Sequence, residues 1–100
     1  MNELLRHLEV WKDSKAKIFR TEDYEASVSE VFGNSKQSRC IDIETGKLLA
    51  RATLWETSEL ELEGLEKIPE RTAIQKSVIT KEIWRLDDEL NWWLSEIATY

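Results

Sequence analysis

The stretch RATLWETSELELEGLE, residues 51–66, decides the fold because it predicts two β-strands joined by a tight turn. Apolar and polar residues alternate on both sides of the turn, as expected for strands with one buried and one solvated face. A three-residue turn at 56–58 places Leu54 opposite Leu60. Directly opposed residues share a face of an antiparallel pair, so one face of this hairpin is continuously apolar.

The other face of the hairpin carries a glutamate at every second position of its second strand. The same turn places Glu59 opposite Trp55, Glu61 opposite Thr53 and Glu63 opposite Arg51. A shift of one residue would move all three carboxylates into the core. The register of this hairpin is therefore strongly specified by the sequence.

The preceding segment, RCIDIETGKLLARATLW at 39–55, predicts a second hairpin. A two-residue turn at Thr45-Gly46 places Ile43 opposite Leu48. The predicted inner face contains Ile41, Ile43, Leu48, Ala50, Ala52 and Leu54. The predicted outer face contains Cys40, Asp42, Leu49, Arg51, Thr53 and Trp55.

A further strand is predicted upstream, where YEASVSEVF at 24–32 alternates in the same way. A four-residue loop at 33–36 places Val28 opposite Ile41, again on the inner face. Three independent turns thus agree on one apolar face. This agreement predicts a four-stranded antiparallel meander.

Helices are predicted at both ends of the chain. The first helix is predicted at residues 2–19, with Asn2 as its N-cap. The helical spacing of its apolar residues is interrupted at Lys15. Its apolar stripe is Leu4, Leu8, Trp11 and Ile18.

The C-terminal third ends in a second amphipathic helix. Thr80 and Asp87 are both suitable N-caps, so the sequence leaves open whether residues 72–84 form a fifth strand or part of this helix. Its apolar stripe is Ile83, Leu86, Leu90, Trp93 or Leu94, and Ile97.

The predicted fold class is α+β: a four-stranded antiparallel meander, with a fifth strand as the alternative, packed on one face by the terminal helices. The other sheet face has no remaining element to cover it, which antiparallel sheets tolerate. The chain has 100 residues, 41% of them hydrophobic and 34% charged. This fits a single domain over residues 1–100.

The net charge of -6 makes direct binding to nucleic acid unfavourable and favours a basic protein partner. The chain start lacks the pattern of a secretory signal, and no stretch approaches the roughly 18 apolar residues that a membrane span needs. We therefore expect a cytoplasmic protein without membrane contact. The single cysteine, Cys40, excludes an internal disulfide.

Residue patterns for catalysis are sparse. His7 is the only histidine, and no phosphate-binding glycine loop or metal-ligand spacing is present. An enzyme using Cys40, placed opposite Arg51 by the predicted turn, is one alternative. A flat outer face offers no pocket for carboxylate chemistry. We therefore expect no enzyme activity, no cofactor and no metal.

The predicted outer face indicates a function more clearly than any of these catalytic patterns. Between Asp42 and Glu66 seven acidic residues stand against two basic ones, and Trp55 lies among them. An aromatic anchor within a charged rim is typical of protein-binding surfaces. An alternative is a chaperone-like or adaptor module that binds through Trp84 and Trp92.

The Trp55-Glu56 step, together with SRCIDIETGKLLA before it and an amphipathic helix at the end, resembles TriTu-type immunity proteins of contact-dependent growth inhibition. The resemblance covers roughly residues 24–66. It implies a cytoplasmic antitoxin that binds the C-terminal toxin domain of a secreted exoprotein and blocks its active site. The toxins are often nucleases that cleave tRNA, and some share a complex with elongation factor Tu.

The resemblance supplies no catalytic residues, because inhibition is binding. A basic nuclease is also the partner that the acidic outer face favours. The predicted toxin-binding residues are Asp42, Glu44, Arg51, Trp55, Glu56, Glu59, Glu61 and Glu63.

Overall fold

A computed structural model, which describes residues 2–100, contains one five-stranded antiparallel sheet with the strands in chain order. The elements are α1 (Glu3–Ser14), α2 (Ala16–Glu22), β1 (Glu25–Val28), β2 (Ser38–Glu44), β3 (Leu48–Trp55), β4 (Glu59–Glu66), β5 (Arg71–Ile79) and α3 (Ile83–Ala98). The predicted α+β class is confirmed, with the fifth strand present. The open question at 72–84 is also answered, because the segment is strand as far as Ile79 and helix from Ile83.

The N-terminal helix begins as predicted but is not continuous. Asn2 caps α1, and its side-chain oxygen accepts a hydrogen bond from the backbone N–H of Leu5 at 2.9 Å. Lys15 leaves helical geometry, which separates α1 from α2. After this break, the buried residue is Phe19, one position later than the predicted Ile18. Phe19 packs in the core, whereas Ile18 is 42% exposed.

Strand β1 is shorter than the predicted 24–32. Its register is confirmed, since Val28 lies opposite Ile41. After Val28, the Ser29 N–H still donates to the Cys40 carbonyl at 2.9 Å, and Phe32 makes an isolated bridge to Ser38. The carbonyl of Ser29 accepts a hydrogen bond from the Arg39 side chain, at 2.8 Å, where the regular strand pairing ends.

The turn between β2 and β3 differs from the prediction. Thr45 pairs with Leu48, its N–H donating to the Leu48 carbonyl at 2.9 Å, so the two turn residues are Gly46-Lys47. The Thr45 hydroxyl also accepts from the Leu48 N–H at 2.9 Å. Ile43 consequently lies opposite Ala50, not Leu48. A displacement of two residues leaves every side chain on its predicted face.

The hairpin of β3 and β4 has the predicted register. Leu54 lies opposite Leu60, and Arg51 lies opposite Glu63. Ser58 closes the turn with a positive φ of 77° and donates its N–H to the Trp55 carbonyl at 2.9 Å. The glutamates of β4 therefore alternate with buried leucines, as expected.

The core lies between the inner sheet face and the three helices, and all six predicted inner-face residues are buried in it. Trp11 and Trp93 pack together with ring centroids 6.2 Å apart. Both indole N–H groups are satisfied, by the Asn91 side chain and by the Glu63 carbonyl, each at 3.0 Å. These bonds tie α1 to α3 and α3 to β4.

A buried arginine joins the sheet to α1. Arg39 lies on the inner face opposite Leu54 and is 6% exposed. The predicted turn at Thr45-Gly46 would have placed Arg39 opposite Ala52 instead, two residues away. Its guanidinium donates to the carbonyls of Ser29 and Leu5, at 2.8 and 3.2 Å, and forms an ion pair with Glu9.

Replacing Arg39 with alanine is expected to lower the free energy of unfolding by about 2–3 kcal/mol, because buried acceptors lose their donor. Glu9 is largely exposed, so the ion pair itself contributes little of this loss. The matched control is Arg51→Ala, the same change on the solvated face of the same sheet, where the expected loss is below about 1 kcal/mol. Urea denaturation monitored by circular dichroism compares the two, and equal losses would contradict the assignment.

Candidate protein-binding face

The sheet face opposite the helices is uncovered, and we call it the outer face. It is formed by alternate residues of all five strands. Seven of the eight predicted binding residues lie on it: Asp42, Glu44, Arg51, Trp55, Glu59, Glu61 and Glu63. Strand alternation thus gathers on one surface residues that are up to 21 positions apart in the chain.

Glu56, the eighth predicted residue, lies apart from the others in the turn after β3. Its carboxylate accepts a hydrogen bond from the Gln37 N–H at 2.8 Å. Its carbonyl accepts another from the Asn2 side chain at 3.1 Å. Glu56 therefore holds the loop before β2 and the start of α1 against the sheet.

Three outer-face carboxylates have cationic partners. Arg51 donates two hydrogen bonds to Asp42, at 2.7 and 3.2 Å. Hydrogen bonding to Asp42 and its charge raise the pKa of Arg51 above the ordinary value. The remaining two pairs are Lys67 with Glu44 at 2.7 Å and Lys36 with Glu59 at 3.0 Å.

Other carboxylates of the outer face have no such neutralisation. Glu61 accepts hydrogen bonds from the neutral side chains of Ser77 and Gln75, at 2.8 and 3.3 Å. Across residues 2–100, no cation lies within ion-pair distance of Glu25 or Glu63. Negative charge therefore predominates on this surface.

Trp55 is half-buried at one end of the outer face, opposite Ser38. The Lys36 ammonium lies 5.5 Å from the centroid of its ring, within the range of a cation–π contact. The same ammonium binds Glu59. The indole that the sequence predicts as an anchor is thus in contact with a lysine of the same chain.

The opposite end of the outer face is concave, which corrects the expectation of a flat surface. The concavity has a volume of about 690 Å³ and is bordered by Glu25, Glu44 and Glu63. The β4–β5 register shifts between Gly64 and Leu65, and such irregularities bend a strand.

Two leucines with exposed side chains line this concavity. Leu49 and Leu65 lie directly opposite each other on β3 and β4 and are 49% and 39% exposed. The sequence prediction placed Leu49 on the outer face but did not include either leucine in the site. The signal was available, because the alternation of Glu61 and Glu63 continues to Leu65.

The two residues considered for catalysis do not meet. Cys40 is buried and lies opposite Thr53, which corrects its predicted pairing with Arg51. His7 instead contacts Asp87 at 2.7 Å, between α1 and α3. Among residues 2–100, no group of three or more His, Cys, Asp or Glu side chains is arranged to hold a metal ion.

The two tryptophans of the adaptor alternative also differ in their surroundings. Trp84 is 63% exposed on α3. Trp92 is half-buried, with the Lys76 ammonium 4.3 Å from the centroid of its ring. Within the described part of the chain, no helix is long and apolar enough to cross a membrane.

An open acidic sheet face with two partly exposed leucines at one end is typical of protein-binding surfaces. The family model of "Immunity protein TriTu" matches residues 6–96, and the chain belongs to this family. No match is found among curated proteins. Membership supports an immunity, or antitoxin, role, and immunity proteins are generally not enzymes.

The Lys36–Glu59 contact gives a pH-dependent prediction. The hydrogen bond from Lys36 lowers the pKa of Glu59 below its ordinary value. A depressed pKa in the folded state adds stability above the unfolded pKa, and this is lost as the pH falls through the folded value.

We therefore expect Lys36→Met to raise the pKa of Glu59 towards the ordinary glutamate value, measured by NMR titration of its side-chain carboxyl carbon. The Glu61 carboxyl, which binds Ser77 and Gln75 instead, is the internal control. An unchanged Glu59 titration would show that the contact is absent in solution.

Proposed function

We propose that this protein is the immunity protein of a contact-dependent growth inhibition system and that it neutralises the C-terminal toxin domain of the cognate exoprotein. The toxin is a nuclease, in the first instance one that cleaves tRNA. The protein binds over the basic active site and performs no catalysis of its own. The observation that carries the proposal is the uncovered outer face, on which carboxylates outnumber cations.

The chemistry of a nuclease explains why this partner fits. A protein that binds RNA places lysine and arginine where it meets the phosphates. An acidic inhibitor is attracted to that surface, which accelerates association and excludes partners of the wrong charge. Glu61 and Glu63 are available for such contacts because, within residues 2–100, neither has a lysine or arginine within ion-pair distance.

The setting follows from the resemblance to the TriTu type. The protein acts in the cytoplasm, where an incoming toxin reaches its RNA substrate. Elongation factor Tu is a further partner through the toxin, as part of one complex. The net charge of -6 supports protein partners and not direct binding to nucleic acid.

The first experiment identifies the partner. The tagged protein is expressed in its native cytoplasm, and bound proteins are identified by mass spectrometry before and after a high-salt wash. We expect one basic toxin domain, with losses at high salt, because contacts between exposed charges weaken as ionic strength rises. A diverse set of proteins that survives the wash would favour the adaptor alternative.

A charge-reversal variant tests the outer face directly. Replacing Glu59, Glu61 and Glu63 with lysine is expected to weaken binding to the captured toxin about 100-fold or more, because attraction becomes repulsion at three positions. Isothermal titration calorimetry at two salt concentrations measures the loss and its salt dependence.

The matched control reverses three exposed acids of the helices instead: Asp13, Glu22 and Asp88. This variant has the same net charge as the first, so non-specific attraction to a basic protein changes equally in both. We expect its affinity to fall much less. Equal losses in the two variants would mean that the toxin senses net charge and not the outer face.

A further inference from the structure

The two ends of the outer face are not equally available to a partner. At one end, Trp55 is half-buried and contacts the Lys36 ammonium, which also binds Glu59. At the other end, Leu49 and Leu65 are partly exposed and line a concavity. Leu49 is 49% and Leu65 is 39% exposed, so part of the apolar surface of the concavity is in contact with water.

The border of the concavity carries charge that is not neutralised. Glu25, on the edge strand β1, lies directly opposite Glu44, and like charges in this position are destabilising. Lys67 neutralises Glu44 but has no ion pair with Glu25. On the other side, Glu63 lies opposite Arg51, whose two-pronged hydrogen bond goes to Asp42.

The positions of these carboxylates limit what fits between them. Glu25 on β1 and Glu63 on β4 are three strand spacings apart across the sheet, roughly 14 Å, and are offset by two residues, roughly 7 Å, along the strands. Leu49 lies between them on β3, and Leu65 lies beside Glu63 on β4. Arg51 and Asp42, which also line the concavity, are paired with each other, so a partner that satisfies the two carboxylates and the leucines presents an apolar side chain between two basic ones.

We propose that the Leu49–Leu65 concavity is the main anchoring site for the toxin and that it receives an apolar side chain flanked by two basic residues, which contact Glu25 and Glu63. This inference rests on the proposed function and specifies the chemistry of the toxin surface. It also moves the energetic centre of the interface from Trp55, the anchor expected from sequence, to the two leucines.

Alternative occupants satisfy only part of the site. A purely cationic surface neutralises the carboxylates but leaves the leucines without an apolar contact, so it gains little from their burial. A purely apolar surface would remove the carboxylates from water without compensation, which is costly. Nucleic acid is repelled by the same carboxylates.

Short peptides test the chemistry independently of any toxin. The probe is an extended peptide containing Arg-Ser-Leu-Ser-Arg, whose alternate side chains share one face and whose arginines lie about 13 Å apart. One control replaces its leucine with serine, and the other replaces both arginines with glutamate. The methyl resonances of Leu49 and Leu65 report binding by NMR, with buried Leu62 as the internal reference.

We expect the first peptide to shift the methyl resonances of Leu49 and Leu65, the serine peptide to shift them at least several-fold less, and the glutamate peptide to leave them unchanged. Shifts confined to Trp55 and Glu59 would overturn the inference. So would equal shifts with the leucine and serine peptides, or no shift at millimolar peptide.

Variants of the two leucines extend the test to the captured toxin. Leu49→Thr with Leu65→Thr keeps residues that favour strands, and both positions are partly exposed, so the fold is retained. We expect this double variant to bind at least tenfold more weakly, and to lose most of the affinity that persists in high salt. Trp55→Ala is the matched control, for which we expect a smaller loss.

The outcomes separate the inference from the proposed function. If charge reversal weakens toxin binding but the leucine variant does not, the acidic face binds the toxin and the inference is wrong. If neither variant weakens binding, both the inference and the assigned face are wrong. Circular dichroism of each variant establishes that any loss occurs in a folded protein.

Discussion

The register between β3 and β4 is the constraint on which the rest of the structure depends. Leu54 and Leu60 face the helices only because β4 pairs with β3 in this one alignment. Moving β4 by one residue would exchange its leucines for Glu59, Glu61 and Glu63. Burying three unpaired carboxylates would cost far more than the marginal stability of a small domain allows. Correct pairing of this hairpin therefore produces the core and the acidic face together.

The assignment of residues to faces could be predicted from sequence because it depends only on a period of two. The predicted Thr45-Gly46 turn was wrong by one position, yet pairing changed by two residues and no side chain changed face. The prediction of the N-terminal helix was less accurate. Spacing alone indicated an interruption at Lys15 but could not show that Phe19 would replace Ile18 in the core.

Contacts between distant segments could not be predicted in the same way. The path of the loop before β2 brings Lys36 to Trp55 and engages Glu56, and neither contact follows from a local pattern. The concavity at Leu49 and Leu65 depends on how the sheet bends, and a pairing diagram assumes a flat sheet. The sequence thus indicated which face is the candidate for binding a partner, whereas the shape of that face and the contacts within it could be seen only in the structure.

The alternation of β3 and β4 also separates the residues that form the core from the residues that form the outer face. Inner residues such as Leu54 and Leu62 determine the fold, while the side chains of their neighbours Thr53 and Glu63 lie on the outer face. Substitutions on the outer set leave the packing of the helices unchanged. In an inhibitor with this architecture, substitutions at single outer-face positions can change the specificity while the core and the fold are retained. Such an inhibitor can match changes in the toxin surface without loss of stability.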